Sequence, residues 1–476
     1  QALFWQAHPL RGPRWKLARG RPMEDGGGAW RASGLGPALA GAPSRWDDGE
    51  GGDVCLLELR YQAALRALRA EAGLDPEASR RRARELKELS REVRRAKHLL
   101  ASRGARPAWS SYPQPVELPR CPGDPRFVRS FAVDEPDAAR EFFGHFGFVV
   151  FHGVLGDADC RATVDEIWAY LERRIANLRR GDPETWGLLS RHKYGLPPAQ
   201  AIFTEQIVAN RQSPRLYAAL DAVLPRLPEG EQLPWVSPHP SPNSVVVSND
   251  RWCLYPPALG DPRRATPASL HLDVNPWSYV SQEPTDLESL RYEASAEQAR
   301  TGDEALPLPD FRAEISAVQG AGAGQHVQGV LNLLDNEEAD GGTCLVPGFH
   351  RCFPDWLEGL GFLEENLSQA GPCWVQPREG GGGTFKFSSR DPIWLLQRRV
   401  PVRAGSLVLW DTLLAHGSCP NASANFRVAQ FVRGFRAGQM SPPRAAARAE
   451  ATRTHLRAAG ALQSLGPLAP HVFGVA

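Results

Sequence analysis

The sequence predicts a mainly β protein with a helical flank: a jelly roll or β-sandwich preceded by a helical hairpin. Three observations carry this. From Ser244 onward, short apolar runs alternate with Gly, Pro and Asn turns, at Val245–Val247, Trp252–Tyr255, Ser269–Asp273, Val327–Leu334, Thr343–Val346, Ser406–Asp411 and Phe426–Phe435. Between residues 126 and 224, segments with helical spacing frame one β-rich run. Before residue 104, leucines recur at helical spacing among dense charges.

In chain order, residues 1–50 are biased toward Gly, Arg and Pro and read as a disordered or targeting tail. Residues 1–22 hold four Arg, one Lys and no acid, which is compatible with a transit segment, and Met23 offers an alternative start. Residues 51–104 read as a helical hairpin. Its first helix carries Leu56, Leu57, Leu59, Leu65 and Leu68 up to a stop at Gly73, and Asp75-Pro76 opens the second as N-cap and first-turn proline. There Leu86, Leu89, Val93, Ala96 and Leu100 form one narrow apolar stripe. The run Arg80-Arg81-Arg82-Ala83-Arg84 is interspersed downstream with Glu85, Glu88 and Glu92, so it reads as a salt-bridged face rather than a phosphate-binding one. Prolines at 107, 113, 115, 119, 122 and 125 predict a linker over 105–125. A catalytic domain is expected over 126–440, with its β core at about 244–436, followed by a C-terminal helix and tail over 441–476. In that domain Ala138–Phe146, Asp157–Arg174 and Tyr217–Leu224 read as helices and Gly147–Leu155 as a strand.

Composition excludes some partners. Lys plus Arg number 55 and Asp plus Glu 54, so there is no overall field to draw nucleic acid or an anionic membrane. No run approaches the roughly 18 apolar residues of a spanning helix. A soluble protein acting on a small molecule is expected. The eight cysteines, at 55, 121, 160, 253, 344, 352, 373 and 419, form no CxxC pair, which points to a reducing cytoplasmic or organellar compartment.

The chemistry concentrates in two short stretches. In Ser269-Leu270-His271-Leu272-Asp273 an extended backbone sends His271 and Asp273 to the same face. A third ligand is available from His416 in Leu413-Leu414-Ala415-His416-Gly417, just after a strand. Two His and one carboxylate on one face of a metal leave three positions open, as in non-haem Fe(II) oxygenases, and those suit a bidentate 2-oxo acid and O2. Eleven residues after His416 stands Arg427, whose planar guanidinium can pair two-pronged with the distal carboxylate of 2-oxoglutarate.

With these residues in place, the chain resembles the phytanoyl-CoA dioxygenase-like oxygenases over about 127–436. AGSLVLWDTLLAHGSCPNASANFRVAQFVRGF (Ala404–Phe435) is similar to that family's strand, iron-binding His, turn and cosubstrate Arg. GGTCLVPGFHR (Gly341–Arg351) and FFGHFGFVVFHGVL resemble further family segments. The resemblance implies a double-stranded β-helix, with His271, Asp273 and His416 as ligands of Fe(II) and Arg427 as the 2-oxoglutarate anchor. It also implies Ser418 as a hydroxyl near the same carboxylate and Trp277 as an aromatic at the mouth of the site. The implied reaction consumes O2 and 2-oxoglutarate, releases succinate and CO2, and hydroxylates a small organic or lipid-like substrate. The 143-position step from Asp273 to His416 is long for the family, so an acyl-CoA substrate does not carry over.

Several residues are not promoted. His326 and His350 read as turn or solvent-facing histidines, and Gly380–Gly383 lacks the GK[ST] of a phosphate loop. Lys386, Arg390 and Arg433 are alternatives for lining an anion channel. Three rival functions remain: a non-catalytic jelly-roll scaffold, nucleic-acid binding through the Arg80 to Arg95 face, and a halogenase, whose missing carboxylate ligand Asp273 contradicts.

Overall fold

The computed structural model describes residues 111–190, 201–227, 237–261, 264–274, 327–359, 385–387 and 391–475. The expected tail and helical hairpin, Trp277, His326, Gly380–Gly383 and Arg390 lie outside them. In chain order the strands are β1 (Arg120–Cys121), β2 (Asp124–Val128), β3 (Phe148–Phe151), β4 (Val245–Val247), β5 (Trp252–Tyr255), β6 (Ser269–Leu272) and β7 (Val327–Asn332). There follow β8 (Gly342–Leu345), β9 (Phe385–Lys386), β10 (Arg398–Arg399), β11 (Leu407–Asp411), β12 (His416–Cys419) and β13 (Arg427–Arg436). The helices used below are α1 (Pro136–Phe146), α2 (Asp157–Arg174), α3 (Glu205–Arg211), α4 (Pro214–Val223), α5 (Phe349–Gly359) and α6 (Pro442–Ala458).

Two antiparallel sheets carry the site. The larger runs β3-β11-β7-β13-β4, with β5 also on β13, and the smaller runs β10-β8-β12-β6-β9. Long β13 serves two neighbours: Arg427–Gln430 pair with β5 and Gly434–Arg436 with β4. The expected double-stranded β-helix, mainly β with helices on one flank, is the architecture observed.

Alternation along β13 sorts its side chains by task. Gln430 and Arg436 turn to the helices: Gln430 accepts from Asn210 Nδ2 at 3.0 Å and donates to Ile207 O on α3, and Arg436 pairs with Asp221 on α4 at 2.5 Å. Arg427 and Arg433 turn inward to the smaller sheet. Asn210 also donates to Thr163 on α2 at 2.9 Å, so one buried amide ties two helices to the sheet. Its removal leaves the buried Gln430 Oε1 without its donor, at a cost of about 1–3 kcal/mol. Trp252 of β5 is buried edge-on against Tyr170 of α2, with ring centroids 5.6 Å apart. Burial of such a side chain stabilises the fold by about 1.5–3 kcal/mol.

Predicted boundaries hold to within a few residues, with two informative differences. Pro136 occupies the first turn of α1, where its missing N–H is no loss, so the helix starts earlier than Ala138. Gly147 ends it at φ 77° and turns the chain into β3. Part of the proline-rich stretch read as a linker lies on the core: Tyr112 and Leu118 are buried, and β1 and β2 form a small hairpin. Tyr112 donates to Asp391 at 3.0 Å and Arg398 Nε to Val116 O at 2.9 Å. Proline there sets an extended course along the surface without needing ladder donors.

Candidate active site

β6 and β12 pair with His271 opposite His416 and Ser269 opposite Ser418. Directly opposed residues share a face, so the register alone brings the two imidazoles together, at 4.5 Å between centroids. Asp273 follows β6 by one residue. Its Oδ1 lies 3.5 Å from His271 Nε2 and its Oδ2 3.7 Å from His416 Nε2. Ligand atoms of His271, Asp273 and His416 all lie within 4.8 Å of one another, the one such group found among the described residues. His271, Asp273 and His416 therefore converge, in a pattern that could hold one metal ion.

The surroundings suit that task. His416 Nδ1 lies 2.9 Å from the Leu414 carbonyl. A carbonyl only accepts, so Nδ1 carries the proton and the Nε2 lone pair faces the carboxylate side. Burial pushes the Asp273 carboxyl up, but the flanking imidazoles of His416 and His271 and the positive charge of Arg433 outweigh it and hold it well below the usual carboxylate range. An anionic ligand is thus maintained. Asp273 Oδ2 also accepts from Gln328 Nε2 and from Arg433 Nη2, each at 2.9 Å. Arg433 is therefore a partner of the carboxylate itself, a closer role than the channel lining suggested by sequence. Gln328 and Trp410, which touches the His416 ring at 5.1 Å, were missed. The available signal was a lone Gln in the apolar run VQGVLN and a lone Trp in LVLWD.

Arg427 occupies a second, deeper place. It is 3 % exposed, stacks over Tyr255 at 5.0 Å, and donates to Cys253 Sγ and Thr343 Oγ1, each at 3.2 Å. Its Nε is buried with no acceptor. Among the described residues no carboxylate lies within ion-pair range of it. Gly342, at φ 99°, makes room: a Cβ there would meet Arg427 Nε at 2.3 Å. Nearby Arg399 has its Nη donors occupied by Thr343 O, Val400 O, Glu337 O and Asn336 Oδ1, while its Nε, like that of Arg427, is buried with no acceptor. Burial and then the charge of Arg427 push Arg399 down to about 10.

Ser418 links the two places. Ser269, Ser418 and Thr343 are aligned across β6, β12 and β8, and Ser418 Oγ lies 3.2 Å from Ser269 Oγ. This hydroxyl row is two residues along β12 from His416, roughly 7 Å. Trp277 lies outside the described residues. His350 is in the first turn of α5 with Nε2 3.3 Å from Gly144 O, away from the triad. Arg436 is committed to Asp221 on the helical side.

Comparison with known proteins gives a family. A "Putative phytanoyl-CoA dioxygenase" of Dictyostelium discoideum is 30 % identical over 301 residues, covering 62 % of this chain and 74 % of that protein. The chain belongs to the phytanoyl-CoA dioxygenase family. The family model, Phytanoyl-CoA dioxygenase (PhyH), matches residues 278–429, a span that holds His416 and Arg427 and begins just after Asp273. Family membership makes the chain an oxygenase-type enzyme. Among solved structures, a hypothetical protein of Escherichia coli is 14 % identical with a TM-score of 0.46, covering 90 % of this chain and 98 % of that one. GlcNAc Inducible Gene 2 of Candida albicans is 14 % identical with a TM-score of 0.39, covering 79 % and 76 %. The alpha-ketoglutarate-dependent epimerase SnoN from nogalamycin biosynthesis is 13 % identical with a TM-score of 0.33, covering 64 % and 83 %. Likenesses this loose say nothing of the chemistry. No helix among the described residues is long and apolar enough to cross a membrane.

Proposed function

We propose that this phytanoyl-CoA dioxygenase family member is an Fe(II)- and 2-oxoglutarate-dependent dioxygenase that hydroxylates a small organic or lipid-like substrate. His271, Asp273 and His416 hold the metal, and Arg427 binds the distal carboxylate of 2-oxoglutarate with Ser418 beside it. The observation that carries this reading is the buried guanidinium of Arg427, which has no carboxylate partner among the described residues and is bonded to Thr343 in the hydroxyl row two residues along β12 from His416. A buried charge without a counter-ion is costly, and a dicarboxylate reaching in from the metal would relieve it. Bound there, Fe(II) with 2-oxoglutarate and O2 supplies the oxidising chemistry, in which 2-oxoglutarate leaves as succinate and CO2 and one oxygen atom enters a C–H bond.

The protein's part is placement. Leu414 O fixes the His416 tautomer. Gln328 and Arg433 fix the Asp273 carboxylate. Thr343, Cys253 and Tyr255 hold the Arg427 fork facing one way. Burial of this end excludes water, so the two-pronged pairing is made in a medium where it is strong. The test is succinate release from 2-oxoglutarate by the purified protein supplied with Fe(II), ascorbate and O2. Release in the parent and its loss in Asp273→Ala support the reading, whereas undiminished release in Asp273→Ala removes this carboxylate as a ligand. Chloride rescue of Asp273→Ala with a halogenated product would point to halogenase chemistry instead.

A further inference from the structure

Facing the triad from the larger sheet is a transverse row of three polar side chains. Trp410 on β11 is opposite Gln328 on β7, and Gln328 is opposite Arg433 on β13. Paired residues share a face, so all three point inward at one level of the barrel. They are bonded in sequence. Trp410 Nε1 donates to Gln328 Oε1 at 3.1 Å, and Gln328 Nε2 and Arg433 Nη2 both donate to Asp273 Oδ2 at 2.9 Å. The Gln328 amide has one workable orientation, because an indole N–H can only donate and an ionised carboxylate can only accept. Both donors converge on Oδ2, while Oδ1 accepts from no donor of this row.

We infer that the row Trp410–Gln328–Arg433 makes Asp273 a one-oxygen metal ligand, reserving Oδ2 for the protein and presenting Oδ1 to the ion. This rests on the metal site proposed above. A carboxylate left to itself can chelate a metal through both oxygens and so consume a coordination position. A facial triad needs that position for the 2-oxo acid and O2. Two donors on Oδ2, one of them a charged guanidinium, oppose chelation. Gln328 and Arg433 are thus positioning residues, and Trp410 orients Gln328 while resting on the His416 ring.

An opposing effect gives the test its sign. A guanidinium beside a divalent ion repels it, so if Arg433 only competed with the ion for the carboxylate, its removal would tighten metal binding. Outer ligand partners instead typically contribute 10–100-fold to metal affinity. The experiment is an anaerobic Co(II) titration of the full chain, followed by the Co(II) d–d bands and by Trp fluorescence, for the parent, Arg433→Met, Arg433→Lys, Gln328→Met and His416→Ala. Arg433→Met and Gln328→Met are expected to weaken Co(II) by about 10-fold or more and to alter the d–d bands. A variant carrying both Arg433→Met and Gln328→Met, titrated alongside, should lose less than the sum of the two, because both donors serve one oxygen. Arg433→Lys should recover part of the loss. Co(II) affinity equal to or tighter than the parent in Arg433→Met, with an unchanged d–d spectrum, overturns the inference. So does a normal spectrum in Gln328→Met should the arginine variant not fold. Co(II) binding that survives His416→Ala unchanged would sink the metal-site reading instead, so the two failures are distinct.

Discussion

The two ends of the candidate site are built on opposite charge balances. At the triad, the Asp273 carboxylate already has partners in Gln328, Arg433 and the two histidines. At the other end, Arg427 is buried with hydroxyl, thiol and ring neighbours and no carboxylate among the described residues. The first end is arranged to keep a ligand still, and the second to demand an anion. The pairing explains how one small molecule could be held at both: chelating oxygens at the triad, and a far carboxylate at the arginine.

The largest expected effect breaks the first end alone. Asp273→Ala removes the one anionic ligand and should reduce 2-oxoglutarate turnover by at least about 1000-fold, as removal of a group acting at the reaction centre does. Iron measured on the purified variant should fall with it, and retention of parental turnover would contradict the ligand assignment. Next comes the second end. Arg427→Ala should raise the apparent Km for 2-oxoglutarate by about 30-fold or more, the equivalent of about 2 kcal/mol. Arg427→Lys should recover only part, since an ammonium lacks the fork. Metal affinity should be unchanged in both. Thermal melting sharpens the contrast: without metal or cosubstrate, Arg427→Met should melt no lower than the parent, because the charge it removes is unpaired. Asn210→Leu, on the helical flank, should melt lower, reflecting about 1–3 kcal/mol of stability.

Much of this was legible in the sequence because it is local. His271 and Asp273 are two apart on an extended segment, and His416 and Arg427 are eleven apart across one turn, so strand alternation and the family motif place them. The Trp410–Gln328–Arg433 row was not legible. Its members meet through the register of β11, β7 and β13, and nothing near Gln328 in the chain announces that Asp273 lies above it. Ser418 came from the family resemblance, but its alignment with Ser269 and Thr343 needed the sheet. The start of the core was misjudged for a different reason. Prolines mark an extended chain equally well whether it leaves the surface or follows it, and Tyr112 and Leu118 follow it.

A smaller effect separates the site, built to hold charge, from a frame that keeps histidines neutral. Burial first, and then the charge of Arg448, push His239 down to about 4, and burial does the same to His350. Both folded values lie below the ordinary 6.5, so the unfolded chain binds more protons between these limits. Stability from this source is fully present above about pH 6.5 and is lost as pH falls toward 4, by at most about 3 kcal/mol per histidine. Urea unfolding across that range should show the decline, and His239→Gln should flatten it. The smallest effect expected is none: a chain begun at Pro107 keeps Tyr112 on Asp391 and should turn over 2-oxoglutarate like the full chain.

The most direct test of the two-ended site is an anaerobic titration of the Fe(II)-loaded protein with 2-oxoglutarate, followed by the visible charge-transfer band of the chelate. The parent should develop the band and saturate. Arg427→Ala should develop the same band at about 30-fold higher 2-oxoglutarate, and Asp273→Ala should not develop it at all. A parent that shows no band, or an Arg427→Ala protein that saturates where the parent does, would contradict the account.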